Sequence, residues 1–393
     1  MSQEVDLGTY RATVITELAE AVQLADVWES CQRSFGVTHV EQHLDWFGLR
    51  TDEEQSAGTP LIVVLYRGAE VVGIAPFTVR STYWHCKVGY RSIVKFPVRQ
   101  AHVYGDAFLL PADADAYQAV LMALARCVAR CHIVFLECLS TDSVLWQVVS
   151  GSPELPMEYW RYTPDGPVPH LKIAVAGSFD EYFKGLTKKD RWNIRHPLKR
   201  FDDAFRERWS VRRVTDREQV AQYVADVEEI SRASWQGRQL GRHIRQTAAR
   251  ETYLEECADR GWLRCYILEC DGRPIAFLEG LQPGAVYLPD ETGYLPDWNE
   301  HQPGKVLFYK AVQDTYEWKP PRTFDFGYGD NVYKRQFANQ STAQVNVYLF
   351  RKSLYTGAAL ATHSILGRLM RTSRQLLDRL DMRERARRLL RQR

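Results

Sequence analysis

Two stretches of this chain repeat one alternation of apolar and polar positions. In Leu61–Phe77, "LIVVLYRGAEVVGIAPF", two β-branched runs flank a polar turn with a glycine, which predicts a β-hairpin. "RCYILECDGRPIAFLEG", Arg264–Gly280, repeats the figure, and Ile74-Ala75 and Ile275-Ala276 stand 201 residues apart. A third apolar run after "QPG" extends the second hairpin into an antiparallel meander. The 3.6-residue period predicts helices at 16–30, from Val40 to Arg50, and in "DADAYQAVLMALARC", capped by Asp113 or Asp115. Short strands are predicted at 88–96 and 105–110, and "HIVFLECL" reads as a buried strand.

In the second half the pattern predicts strand "LKIAV", a helix start at "SFDEYFKGL", a basic helix "KKDRWNIRHPLKRFDDAF", and strand "WSVRRVT". Helices at 216–235 and 244–260 precede the meander. A helix from "QPGKVLF", a strand closing on "FDFG", a helix bearing Tyr333 and Lys334, and a last strand "QVNVYLFRK" follow it. The Pro/Gly-rich stretch "GSPELPMEYWRYTPDGPVPH" reads as a linker. The two hairpins within halves of equal length predict two copies of one α/β unit, 1–165 and 166–352, followed by a helical tail, 353–393.

Charge sharpens this division. The net charge of the 393 residues is +2, which excludes binding of a polyanion by bulk charge. Residues 351–393 hold twelve Lys/Arg against Asp378, Asp381 and Glu384, so the body is mildly acidic and the tail basic. Leu366, Leu369, Met370, Leu376, Leu377 and Leu380 recur in the tail at helical spacing, which fits packing on the body, an anionic membrane surface or nucleic acid. No apolar stretch has the length of a signal peptide or a membrane span. Eight cysteines without a Cys-x-x-Cys pair read as buried, reduced thiols in a cytoplasmic protein, with no metal.

Candidate chemistry collects in the second half. Gly304 leaves a helix start bare, where unsatisfied amides accept a phosphate; an ordinary Pro-initiated helix accounts for the same residues. Lys305 either adds charge there or is solvated. Asp325, between two phenylalanines in "FDFGYGD", is either hydrogen-bonded at the strand end or part of a site, and Lys334 pairs with it or faces the sheet edge. Tyr333 is a core aromatic or a general acid. The basic helix is a solvated face or a groove for an anionic substrate, with Arg191, Trp192 and Arg195 as its contacts. Trp235 and Arg238 are open to the same two readings.

Five motifs in order carry a resemblance: Ser234-Trp235-Gln236-Gly237-Arg238, Ile275-Ala276-Phe277, Pro303-Gly304, Asp325-Phe326-Gly327 and Tyr333-Lys334. Together they resemble the GNAT acyltransferase superfamily, and within it the tandem CelD-like branch of cellulose biosynthesis, related to the FemA/FemB peptidyl transferases. The resemblance covers about 170–350 well and 10–165 loosely. It implies two tandem α/β domains with mixed, mainly antiparallel sheets flanked by helices. It also implies acyl-coenzyme A with its pyrophosphate on the amides of Gly304, Lys305 and Val306, although the usual glycine-rich loop is reduced here to Gly304.

The implied reaction is attack of an amine on a thioester, the acceptor being an amino sugar or a polysaccharide or envelope precursor. Such an attack requires a base near the amine, an amide donor for the oxyanion, and an acid for the leaving thiolate. Glu291 in "PDETGY" is the first candidate base. Glu279 is second, as a carboxylate alone among apolar neighbours, and Asp325 is third; Tyr333 is the candidate acid. Two rivals remain: an aminoacyl-tRNA-dependent peptidyl transferase, and a GNAT-like scaffold without chemistry.

Overall fold

Strand alternation dominates the first half of the computed structural model, which describes residues 2–49, 59–88, 91–127, 131–164, 166–234 and 243–379. Strands β1 (Gln3–Asp6) and β2 (Arg11–Ile15) lead into helices α1 (Leu18–Val22), α2 (Ala25–Phe35) and α3 (Trp46–Leu49). The helix expected from Val40 to Arg50 is instead a 3-10 turn at Val40–Gln42 and the short α3. Its polar residues are committed to loop contacts: the Gln42 carboxamide oxygen accepts from the amides of Thr38 and His39.

The first meander is β3 (Thr59–Arg67), β4 (Glu70–Val88) and β5 (Arg91–Tyr104). The strands expected at 88–96 and 105–110 are replaced by this single long β5, and Leu109 makes only an isolated bridge to Ile74. Helix α4 (Ala114–Arg126) follows, with the Asp113 side chain capping it, then β6 (Ile133–Ser140), parallel to β5. Helices α5 (Val144–Gly151) and α6 (Leu155–Glu158) and strand β7 (Tyr159–Tyr162) complete this part. β7 lies inside the stretch expected to be a linker.

The second half runs through β8 (Val168–Ala174), α7 (Phe179–Gly185), α8 (Lys188–Phe205), β9 (Trp209–Val214), α9 (Val220–Ala233) and α10 (Ala248–Asp259). Its meander is β10 (Cys265–Cys270), β11 (Arg273–Leu281) and β12 (Val286–Tyr294). Then come α11 (Pro303–Glu317), β13 (Thr323–Asp325), α12 (Val332–Phe337), β14 (Gln340–Arg351) and α13 (Leu354–Arg379). The order of a three-stranded meander, a helix and a strand parallel to the third member occurs in both halves.

All strands join one sheet, ordered β1-β2-β3-β4-β5-β6-β14-β8-β13-β12-β11-β10-β9, with β7 also on β14. β14 is the keystone. It pairs antiparallel with β6 through Phe350↔Ile133 to Gln344↔Ser140, and with β8 through Gln340↔Lys172 to Gln344↔Val168. The last strand of the second half therefore stitches the first half to it by main-chain bonds. One apolar core gathers Ile173, Phe201, Ile230, Phe277 and Val306; another gathers Val63, Phe77, Val120, Leu136 and Val347.

Candidate active site

β12 is the strand that builds the site. It pairs with β11 along most of its length but with β13 only at Val286↔Thr323 and Tyr287↔Phe324. Past Tyr287 the parallel strands β12 and β13 diverge. A cavity of ≈760 Å³ opens there, lined by Thr292, Gly293 and Tyr294 of β12, Gly304, Lys305 and Phe308 of α11, and Tyr333 and Phe337 of α12. Ser234, Pro296, Asn299 and Gln302 complete its wall. Gly293 is required there, since a Cβ would come 2.6 Å from the Phe277 ring. The splayed edge leaves β12 main-chain groups without a strand partner, the feature an oxyanion donor needs.

A β-bulge lies beside the cavity. Leu278 pairs with Thr292 but Gly280 with Pro289, so Glu279 alone on β11 opposes both Asp290 and Glu291 on β12. Bulges re-aim side chains and recur next to active sites. Glu291 is exposed, yet its carboxyl is pushed up to about 6, first by desolvation and then by the charges of Asp290 and Glu279, with Arg250 opposing. Its surface is open while the protein around it withholds part of its hydration. A carboxyl with that pKa is half-ionised near pH 6 and mostly ionised at neutrality, the range suited to a general base.

Glu279 does not stand alone among apolar groups, as expected from sequence. It is 5% exposed and accepts from Arg250 at 2.5 Å and from the Tyr223 hydroxyl at 3.2 Å. The guanidinium, brought in by α10, takes its charge, so Glu279 serves the site by positioning Arg250 and by its field on Glu291. Burial pushes the Tyr333 phenol up, so it holds its proton at neutral pH; its ring packs on Phe308 at 5.1 Å.

The helix start at Gly304 is more nearly closed than expected. The amides of Lys305 and Val306 both donate to the Gln302 carbonyl, at 3.0 and 3.3 Å. Pro303 has no amide and is buried, and Val306 is wholly buried, so neither meets a ligand. The Gly304 amide and the Lys305 side chain remain. Gln302, in the left-handed region at φ 50, gives no side-chain cap, and the first turn has no acidic residue.

Asp325 and Lys334 are corrected as site residues, because neither reaches the cavity. Asp325 is buried and accepts from His170 Nε2 at 2.6 Å and from the Gly327 amide at 2.9 Å, with the Lys172 ammonium 3.5 Å away. Burial alone would raise its pKa, but His170, Lys172 and that amide outweigh burial and hold it below the usual range. Lys334 donates to the carbonyls of Phe326 and Tyr328, each at 2.7 Å, and so clamps the glycine turn between β13 and α12. Burial lowers its pKa, with Asp325 and Cys138 opposing.

The basic helix also stays clear of the cavity. Arg191 caps the end of α7 through the carbonyls of Lys184 and Leu186, both at 2.6 Å. Arg195 lies 4.6 Å over the Phe183 ring. Trp192 is 62% exposed and stacks on His196. Trp235 and Arg238 lie outside the described residues. Among the described residues no group of His, Cys, Asp or Glu side chains is placed to hold a metal.

These features have a counterpart among known families. Residues 188–335 match the acetyltransferase (GNAT) domain family. The match takes in every cavity residue named above except Phe337, and both Glu279 and Glu291. Residues 188–335 are thus similar to a GNAT acyltransferase domain, a likeness that supports an acyltransferase enzyme. No curated protein matches the chain.

Among solved structures, FemX superposes with a TM-score of 0.58 at 10% identity, covering 89% of this chain and 97% of that one. A conserved protein of unknown function from Bacteroides thetaiotaomicron gives 0.51 at 11% identity over 89% and 100%. The C-terminal domain of a putative lysylphosphatidylglycerol synthetase from Agrobacterium fabrum gives 0.50 at 12% over 89% and 98%. At these identities the likeness is one of fold.

Sequence reasoning missed Thr292, Gly293, Tyr294, Asn299, Gln302 and Phe337. The one signal, for Thr292, Gly293 and Tyr294, was the interrupted alternation of "PDETGY", which marks the bulge.

Proposed function

We propose that this protein is an acyl-coenzyme A-dependent N-acyltransferase whose acceptor is the amine of an amino sugar or of a polysaccharide or envelope precursor. The observation that carries the reading is the splay of β12 from β13, with Thr292 and Tyr333 lining the cavity that opens there and the bulge carboxylate Glu291 next to Thr292 in the chain. In this reading the pantetheine arm lies along the freed edge of β12 and the pyrophosphate meets the Gly304 amide and Lys305. Glu291 takes the proton from the attacking ammonium, directly or through water. The amine then adds to the thioester carbonyl, a β12 amide holds the oxyanion, and collapse expels a thiolate that Tyr333 protonates, while the surplus proton on the added nitrogen passes through water to the Tyr333 oxygen.

The contrast between the two halves favours donor binding in the second. At the corresponding helix, α4, the Asp113 carboxylate accepts from the Asp115 amide at 3.0 Å, and Asp115 adds a second negative charge. A phosphate would meet two carboxylates there, whereas α11 offers Lys305 and no acid. The first half then supplies the shared sheet and shapes the acceptor side. We place the reaction in the cytoplasm; no helix among the described residues is long and apolar enough to cross a membrane.

A thiol-release assay with acetyl- and longer acyl-coenzyme A, run against a panel of amino sugars and their nucleotide-linked forms, tests this. Acceptor-dependent thiol release lost in Glu291→Gln supports it. Absence of release with every donor, together with transfer from charged tRNA, replaces it by the peptidyl-transferase reading.

A further inference from the structure

The strands β4 and β5 run well beyond the sheet. β3 leaves β4 at the Thr59↔Val79 pair, and β6 joins β5 only from Gln100 onward. Between Arg80 and Arg99 the two therefore form a two-stranded arm. One face of the arm is covered: Trp84 packs on Tyr348 and Phe350 of β14 and on His363 of α13, and the Cys86 thiol donates to the Ala359 carbonyl.

The other face is open. On β5 exposure alternates strictly, with Arg91, Ile93, Lys95, Pro97 and Arg99 exposed and the residues between them half-buried or buried. Ile93 is the extra residue of a bulge, since Cys86 pairs with Val94 and Lys87 with Ser92, and it is 59% exposed. Tyr83 on β4 is 55% exposed.

The charge of this surface is of one sign. From Val71 to Tyr104 the chain has five Lys/Arg and no Asp or Glu. Of these, Lys87, Lys95 and Arg99 are exposed with open-face parity. Lysines on a ribbon edge suffice to discourage edge-to-edge pairing. That role does not account for large apolar side chains exposed among them.

We infer that the open face of the β4–β5 arm docks on an anionic lipid surface, with Lys87, Lys95 and Arg99 on the headgroups and Tyr83 and Ile93 entering the headgroup boundary. Interleaved cationic and apolar side chains are the pattern of interfacial membrane contact. Nucleic acid fits less well, because aliphatic side chains give a base nothing to stack on or hydrogen-bond. The inference is independent of the acyltransferase reading.

The test is flotation of the full chain with vesicles of one-third phosphatidylglycerol in phosphatidylcholine, beside pure phosphatidylcholine vesicles and a DNA duplex. Binding to the anionic vesicles alone is expected. Lys87→Glu/Lys95→Glu should weaken it by at least about thirtyfold, the loss of two surface cations alone, with repulsion by the two new carboxylates added to it. Hydrogen exchange of the unmutated protein should slow across 80–99 when vesicles are present. Binding that persists unchanged in the double variant would assign the contact to the tail and overturn the proposal. So would failure of the unmutated protein to bind anionic vesicles, or tight binding of the duplex lost in the same variant.

Discussion

Replacing Glu291 by Gln removes the proposed base while keeping its size and one acceptor. The carboxyl is pushed up to about 6 by desolvation and by the neighbouring carboxylates. At pH 7 about nine-tenths of it is ionised, and at pH 5 about one-tenth, so a rate that depends on the ionised form falls about tenfold between them. At the ordinary glutamate value of 4.5 the same carboxyl would stay about three-quarters ionised at pH 5, and the rate would hardly change. The acceptor amine also titrates, but its limb moves with the acceptor chosen, whereas the Glu291 limb does not. The assay is kcat/KM from pH 4.5 to 8 with several amines of different basicity. The account expects one fixed limb near pH 6, abolished in Glu291→Gln together with a loss of about 10²–10⁴ in rate. A variant that keeps the fixed limb and most of its activity would refute the assignment of the base.

Tyr333→Phe should lower kcat by about a hundredfold while leaving donor affinity in place, because only the proton for the leaving thiolate is lost; an equal fall in affinity would mean a packing role. Arg250→Ala should cost about 3–5 kcal/mol in a denaturant titration, since it strands the buried Glu279 carboxylate, and Arg250→Met with Glu279→Gln should recover much of that. Asp325→Asn should cost about 2 kcal/mol near neutrality by weakening bonds to His170 and the Gly327 amide. Because the folded Asp325 carboxyl lies below its unfolded value, its contribution is present above about pH 4 and disappears as pH falls through the folded pKa, so the two stability curves should converge only in acid.

The meander of the second half was legible because apolar alternation is strong where strands are buried on both faces, as in "RCYILEC" and "PIAFLEG". Of the β4–β5 arm only a short strand at 88–96 was legible, because its open face puts Arg, Lys and Pro97 on alternate positions and imitates a loop beyond it. β14 also hid its role: a strand pairs through its main chain, and no side-chain pattern names β6, some 200 residues away, as a neighbour. In the site, Gly304, Lys305, Tyr333 and Glu291 stood out as residue types at element ends. Glu279 misled because its partner Arg250 comes from another element, and Lys334 because a lysine beside a glycine turn resembles an anion site. Its carbonyl partners appear only once the turn is folded.

The central claim is that the cleft between β12 and β13 takes acyl-coenzyme A with its pyrophosphate at Gly304. A Cβ at Gly304 would make only an ordinary contact, 3.6 Å from the Tyr294 ring. Gly304→Asp should therefore fold, and an acid at a helix start is if anything stabilising, by about 0.3–1 kcal/mol. The direct measurement is calorimetric titration of both proteins with acetyl- and longer acyl-coenzyme A, with melting temperatures recorded alongside. The account predicts micromolar binding to the unmutated protein and at least about a tenfold loss in Gly304→Asp, 1.4 kcal/mol or more, without loss of thermal stability. No binding by the folded unmutated protein, or equal affinity in the variant, would contradict it.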